Sequence, residues 1–337
     1  MAIKKNPTIR DVAAAAGVSI ATVSRFVNGQ QTFSDAVEAR LKHAIETLGY
    51  SRNPIARSMV TGRTGAIGLA VMDIGNPHNA NVVKGANRVA LANGYNLLVV
   101  DIEERLEGAK QLLEALARRT DGLIVSERVP DDVVEWLIEL PMPVVFIGQT
   151  GIANSVCVSM DNVAAAEILG AYLVQQGFSQ AAYVGYQRAA WNVERIEGLS
   201  RAGLELTLYE VEEPTSDAAE RLAARVLLGV GAQRFNLVIG CNDLVSIGLM
   251  AQAGAFGLRI PEDVAFAGFD NIATSRFVTP PLTTVDTCSE ETGELLFRYV
   301  LALIDETPIP RPAQLEPFLV IRDSTRRQTA SSPATTV

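Results

Sequence analysis

Histidine, tryptophan and cysteine are scarce in this chain of 337 residues, with two, two and three copies respectively. Two histidines leave little general-base capacity, no spacing of His, Cys, Asp and Glu suits a bound metal, and neither familiar Gly-rich phosphate loop occurs. The residues themselves therefore give no footing to an enzyme. Cys157, Cys241 and Cys288 are scattered, which excludes a disulfide or zinc framework and fits a reducing compartment. No charged-then-apolar leader opens the chain, and the longest uncharged run, Leu140 to Met160, is broken by Pro141, Pro143, Gly148 and Gly151. Neither export nor a membrane span is expected, and the cytoplasm is the expected location.

Positive charge is also short, and unevenly spread. The formal net charge is −9, yet residues 1–62 carry eight cations (Lys4, Lys5, Arg10, Arg25, Arg40, Lys42, Arg52, Arg57) against four anions (Asp11, Asp35, Glu38, Glu46). Phosphate binding is thereby confined to the amino-terminal piece, and the acidic remainder is kept off nucleic acid. The length suits roughly two ordinary domains plus small extras.

The stretch TIRDVAAAAGVSIATVSRFVNGQ, Thr8 to Gln30, reads as two short helices joined by a tight turn. Ile9, Val12, Ala13, Val18, Val23 and Phe26 recur at helical spacing. Thr8 and Asp11 form a capping box, Gly17 supplies the turn, and Ser19 caps the second helix. That helix then presents Ile20, Ala21, Thr22, Ser24, Arg25 and Asn28, short side chains with one guanidinium, as a surface for a major groove. A third helix, Ser34 to Leu48, offers Val37, Leu41, Ile45 and Leu48 as a stripe that completes a three-helix core.

The entry Asp-Val-Ala, the Gly-Val-Ser turn and the Thr-Val-Ser-Arg that follows resemble the head of the LacI family of bacterial transcription regulators. In YSRNPIARSMVTG, Asn53 can cap a helix begun by Pro54 and ended by Gly62, two turns too short to be stable alone. By the resemblance this is a hinge helix that forms on the operator. Met59 would wedge into a central minor-groove step, Ala56 would face the partner hinge, and Asn53 and Arg57 would lie near phosphates. With Thr8, Ser19, Ile20, Ala21, Thr22, Ser24, Arg25 and Asn28 they make the expected DNA-binding set.

From Gly65 the period changes. The apolar runs AIGLAVM, YNLLVVD, GLIVS, PVVFIG, AAYVGY, LTLYE, NLVIG and VAFAGF alternate with helical stretches, the pattern of parallel sheets buried on both faces and covered by helices. Polar residues collect at the carboxyl ends of the runs: Asp73, Asp101, Ser126, Gln149, Asn242 with Asp243, and Asp270. In open α/β sheets ligands bind beyond those ends. Asp243 itself is expected to cap the helix that follows it. The fold class expected is a small all-α helix-turn-helix head plus an α/β core of two doubly wound parallel-sheet lobes.

VSMDNVAAAEILGAYLVQQGF, RIEGL, CNDLVSIGLM and PEDVAFAGFDN followed by FVTPPLTTV resemble the core shared by LacI-family regulators and periplasmic sugar receptors. The implied organisation is a DNA-binding head (1–50), hinge and linker (51–64), and effector core (65–322). Within the core, lobe 1 takes 65–160 and 287–320, and lobe 2 takes 161–286. A disordered tail (323–337) follows, small, polar and aperiodic. The resemblance places effector contacts at His78, Asn79, Ser126, Arg128, Gln149 beside Gly148, Asp161, Trp191, Arg195, Asn242 and Asp270. Arg195, Asn242 and Asp270 would take vicinal hydroxyls in pairs, with Trp191 as the ring face. Arg128, Arg188 and Arg195 hint at an anionic ligand, because guanidinium forks match carboxylate or phosphate, and DGLIVSER resembles regulators of gluconate use. The function implied is a dimeric, operator-binding transcriptional repressor controlled by a sugar or sugar acid, without catalysis, cofactor or metal. The alternatives are a periplasmic-type sugar receptor and a sugar-processing enzyme.

Overall fold

Three short amphipathic segments open the fold: α1 (Ile9–Ala16), α2 (Ile20–Val27) and α3 (Asp35–Leu48). The computed structural model describes residues 7–27, 31–50, 62–229, 235–309 and 315–326. It divides into two units with the boundary after Gly65. In the head the expected positions converge, with Val12, Val23 and Leu41 fully buried among Ile9, Val18, Phe26 and Val37. The Asp11 carboxylate accepts from both the amide and the hydroxyl of Thr8 at 2.7 Å. Gly17 closes the turn with φ +65. One stripe position differs from expectation: Leu48 is exposed, because the helix runs one turn past the core, where Ala44 and Tyr50 pack instead.

The body begins with β1 (Ala66–Val71), α4 (Pro77–Ala92), β2 (Asn96–Asp101), α5 (Ala109–Ala117) and β3 (Leu123–Ser126). It continues through α6 (Asp131–Ile138), β4 (Val144–Ile147) and β5 (Cys157–Val158). These strands form a parallel sheet in the order β2-β1-β3-β4-β5. The chain then builds α7 (Asn162–Gln175), β6 (Gln180–Gly185), α8 (Ala190–Arg201), β7 (Glu205–Glu210), α9 (Ser216–Leu227), β8 (Leu237–Gly240), α10 (Asp243–Ala255), β9 (Ala265–Phe269) and β10 (Thr283–Asp286). After β10 it returns to the first lobe as α11 (Ser289–Ile304), which packs beside α4 with Arg88 paired to Glu290 and Glu294. It finally comes back to the second as β11 (Phe318–Val320). The second sheet runs β11-β10-β9-β8-β6-β7, parallel except that β11 is antiparallel to β10. All eight apolar runs are strands.

Three expectations are corrected. Burial on both faces fails at the sheet edges, since β2 exposes Leu98 and Val99 and β7 exposes Leu208, each strand having a neighbour on one side only. The lobe boundary at 320 is too late, because Phe318–Val320 pairs with Thr284–Asp286 and belongs to the second lobe. The tail does not begin at Asp323. Asp323–Thr325 form a 3-10 turn in which Ser324 and Thr325 are fully buried, the Ser324 hydroxyl donating to the Phe266 carbonyl (2.6 Å) and accepting from the Thr283 amide (2.8 Å). The polar composition of these residues reflects hydrogen bonding, not solvation. Residues 327–337 lie outside the described residues, as do 51–61, the span of the expected hinge helix. Among the described residues no helix is long and apolar enough to cross a membrane.

Candidate functional site

In the head, Ser19 caps α2 by accepting from the Thr22 amide (3.1 Å), and its hydroxyl lies 2.8 Å from that of Thr22. With the buried side of α2 anchored by Val23, the outer side carries Ile20 (46 % exposed), Ala21 and Arg25, all in solvent, with Thr22 and Ser24 half-buried beside them. Among the described residues Arg25 makes one hydrogen bond, 3.3 Å to Gln31. An exposed apolar edge next to a loosely held guanidinium suits thymine methyls and guanine edges in a major groove. Thr8 is exposed at the start of α1. Asn28, Asn53, Ala56, Arg57 and Met59 lie outside the described residues.

In the body, the carboxyl ends of both sheets face a cleft, and its centre is a buried ion pair. Arg195, on α8, sits 3.7 Å from the Asp270 carboxylate, with side-chain exposures of 6 % and 8 %. Its guanidinium donates to Asn162 Oδ1 (3.2 Å) and to the Cys241 carbonyl, and lies between the rings of Trp191 (4.6 Å) and Phe269 (4.4 Å). Two aromatic faces and two fixed acceptors leave this arginine few alternatives. Asp270 stands at positive φ just past β9; it accepts from Thr287 (3.3 Å), and His78 Nδ1 is 3.5 Å away. His78 also approaches the Thr287 hydroxyl at 3.2 Å.

Beneath the pair lies a second carboxylate. Asp243 is fully buried and accepts from the Ile272 amide (3.0 Å), the Thr284 hydroxyl (2.6 Å) and the Ser275 hydroxyl. Burial, with Asp270 nearby, pushes its pKa up to about 8. The expectation that Asp243 caps α10 is corrected: Asn242 caps it, accepting from the Val245 amide (2.9 Å) and donating to the Pro214 carbonyl (2.9 Å). Asp243 instead braces the segments that carry Asp270.

On the first lobe, Glu127 projects into the cleft just past β3. Its carboxyl packs on Gly148, where a Cβ would lie 2.4–2.7 Å from the carboxyl atoms, and accepts from Ser126 (3.3 Å). Burial pushes it up to about 7, with Arg128 opposing and the facing Glu194 adding to the rise. Arg128 is held by a bidentate pair to Glu104 (2.6 and 2.9 Å), and the Tyr186 hydroxyl from the other lobe donates to the same carboxylate (3.3 Å).

A model of the bacterial regulatory proteins of the lacI family matches residues 8–53, and one of a periplasmic binding protein-like domain matches 171–325. The HTH-type transcriptional regulator GalR of Escherichia coli (strain K12) is 32 % identical over 97 % of this chain and 96 % of its own length. The chain belongs to the lacI family of bacterial regulatory proteins. Among solved structures, the Lac repressor dimer bound to operator and the anti-inducer ONPF matches 95 % of the chain and 99 % of its own, with TM-score 0.84 and 23 % identity. The transcriptional regulator CelR in complex with cellobiose matches 94 % of the chain and 99 % of its own, with TM-score 0.65 and 26 % identity.

Of the core residues expected to meet an effector in this lacI-family regulator, His78, Asn79, Ser126, Arg128, Gln149, Trp191, Arg195, Asn242 and Asp270 all line the one cleft. Several are already engaged. Asn79 donates to the Asp73 carbonyl (2.8 Å), Gln149 to Ser159 (3.0 Å), and one face of Trp191 is covered by Arg195. Asp161 caps α7, its carboxylate accepting from the Ala164 amide (2.8 Å), and its neighbour Asn162 lines the cleft. Asp73 and Asp101 sit at strand ends as expected but brace loops, accepting from Gly75 (2.7 Å) and Ile74 (3.1 Å). Arg188 lies on a separate groove with Glu104, Tyr186 and Glu210. Sequence reasoning missed Glu127, Asn162, Glu194 and Thr287. Among the described residues no group of three His, Cys, Asp or Glu converges to hold a metal.

Proposed function

We propose that this regulator is a homodimeric transcriptional repressor of carbohydrate-utilisation genes. Its affinity for a near-palindromic operator is set by a small hydroxylated effector held between the body's two lobes. The observation that carries the reading is the cleft: Arg195 fixed against Trp191 and opposite Asp270, with His78 and Gln149 contributed by the other lobe. A charged pair ringed by amides and one aromatic face suits vicinal hydroxyls. The head reads DNA through Ile20, Ala21, Ser24, Arg25 and Asn28, and Asn53, Ala56, Arg57 and Met59 act at the operator centre. Edge strand β2 with exposed Leu98 and Val99, and α4 with exposed Leu91, offer apolar positions to a second copy. The effector acts by preferring one arrangement of the two lobes, and a coupling of about 1–3 kcal/mol to DNA affinity is the ordinary scale. The chain acts as a regulator in the cytoplasm, not as an enzyme, and its ligand is an effector, not a cofactor. Footprinting across the parent genome, with a panel of sugars present and withheld, tests this. A protected palindrome whose occupancy changes with one sugar is expected, and no protection under either condition overturns the reading.

A further inference from the structure

The cleft has a charge balance that its arginines conceal. Both guanidiniums lining it are matched by carboxylates: Arg128 by Glu104 and Arg195 by Asp270. Two more carboxylates line the same space, Glu127 from the first lobe and Glu194 from α8 of the second. Neither has an ion pair among the described residues. Glu194 accepts from the Asn162 amide (2.9 Å), and Glu127 from Ser126. Both line the one cleft, and the charge of Glu194 adds a small part to the rise that burial imposes on Glu127. Two carboxyls without an ion pair among the described residues, one per lobe, thus line a space whose arginines are already paired with Glu104 and Asp270. A ligand that donates to both carboxyls is favoured there, and a negative charge beside them meets like charge in a poorly screened site.

We propose that Glu127 and Glu194 set the ligand class of the cleft, reserving it for polyols that donate hydrogen bonds to both carboxylates, neutral or amine-bearing, and excluding sugar acids and sugar phosphates. This rests on the reading of the cleft as the effector site, and it reverses the hint of an anionic ligand carried by Arg128 and Arg188. Specificity then comes from a repulsive element as much as from contacts.

The test uses the full-length protein and matched probes in calorimetric titration: glucose, glucosamine, gluconate and glucose 6-phosphate, with the corresponding galactose and ribose sets. In any set that binds, the neutral or amino member should bind at least about ten-fold more tightly than its acid and phosphate. Glu127→Gln with Glu194→Gln should narrow that gap to within about three-fold, the acid gaining relative to the sugar. Unchanged operator retardation and an unchanged urea midpoint show that the variant is folded, and Glu194→Gln alone serves if the double variant is not. A wild-type preference for an acid or phosphate overturns the charge argument while leaving the effector site standing, as does a gap that survives the substitutions. If no probe binds while operator is still retarded, the proposal and the effector-site reading fall together and the DNA-binding reading remains.

Discussion

The outer face of α2 and the cleft of the body hold the side chains proposed for DNA and effector in opposite ways. On α2, Ile20, Ala21 and Arg25 stand in solvent, and Arg25 keeps a long hydrogen bond to Gln31. In the cleft, Arg195 is sandwiched and multiply bonded, Asn242 has both ends of its amide in use, and Asp270 rests above Asp243. A reader of base edges keeps its groups free for the partner, whereas the cleft holds its groups in a preformed network that a ligand must join. Function and stability are therefore separable in the head and fused in the cleft.

The largest expected effect lies on the fused side. Arg195→Ala leaves Asp270 buried without its cation and should cost about 3–5 kcal/mol of body stability in urea denaturation, together with the effector response. An unaltered midpoint would break the contrast. Next, Arg25→Ala should weaken specific operator binding by about 1–3 kcal/mol while changing stability by less than about 0.5 kcal/mol. Equal loss on random DNA in a retardation assay would contradict a base-reading role.

The smallest effect is a pH dependence from Glu127. Its folded value of about 7 exceeds the ordinary 4.5, so over that interval the native chain keeps a proton that the unfolded chain has lost. Stability therefore falls as pH rises from about 4.5 to about 7, then levels. Glu127→Gln should remove a share on the order of 1–2 kcal/mol from that slope. Thermal midpoints from about pH 5 to pH 8 measure it. The neighbours that shape the titration are Arg128 with its partner Glu104, Ser126, and Glu194 across the gap.

Much of this was legible in the chain because apolar periodicity reports burial directly. All eight long runs became strands, and the head's stripe became its core apart from Leu48. What escaped was structure held by polar groups. β10 reads TTVD, and its buried threonine hydroxyls are satisfied by Asp243 and by the Thr325 hydroxyl and Arg322 carbonyl, partners that no local pattern announces. The 3-10 turn after Arg322 was hidden for the same reason.

In the site, the errors are offsets of one residue. Asp161 caps α7 while its neighbour Asn162 lines the cleft, and Asn242 takes the cap expected of Asp243 while keeping its own place in the cleft. Glu127 was passed over between Ser126 and Arg128, although β3 ends at Ser126 and strict side-chain alternation ends with it. Beyond a strand's last residue, three consecutive side chains can share one space.

The chain changes lobes after Val158, again after Asp286, and once more before Phe318. The halves are joined by three crossings of the chain, so a single backbone cut cannot part them, and a nick in one crossing should leave both pieces held by the other two.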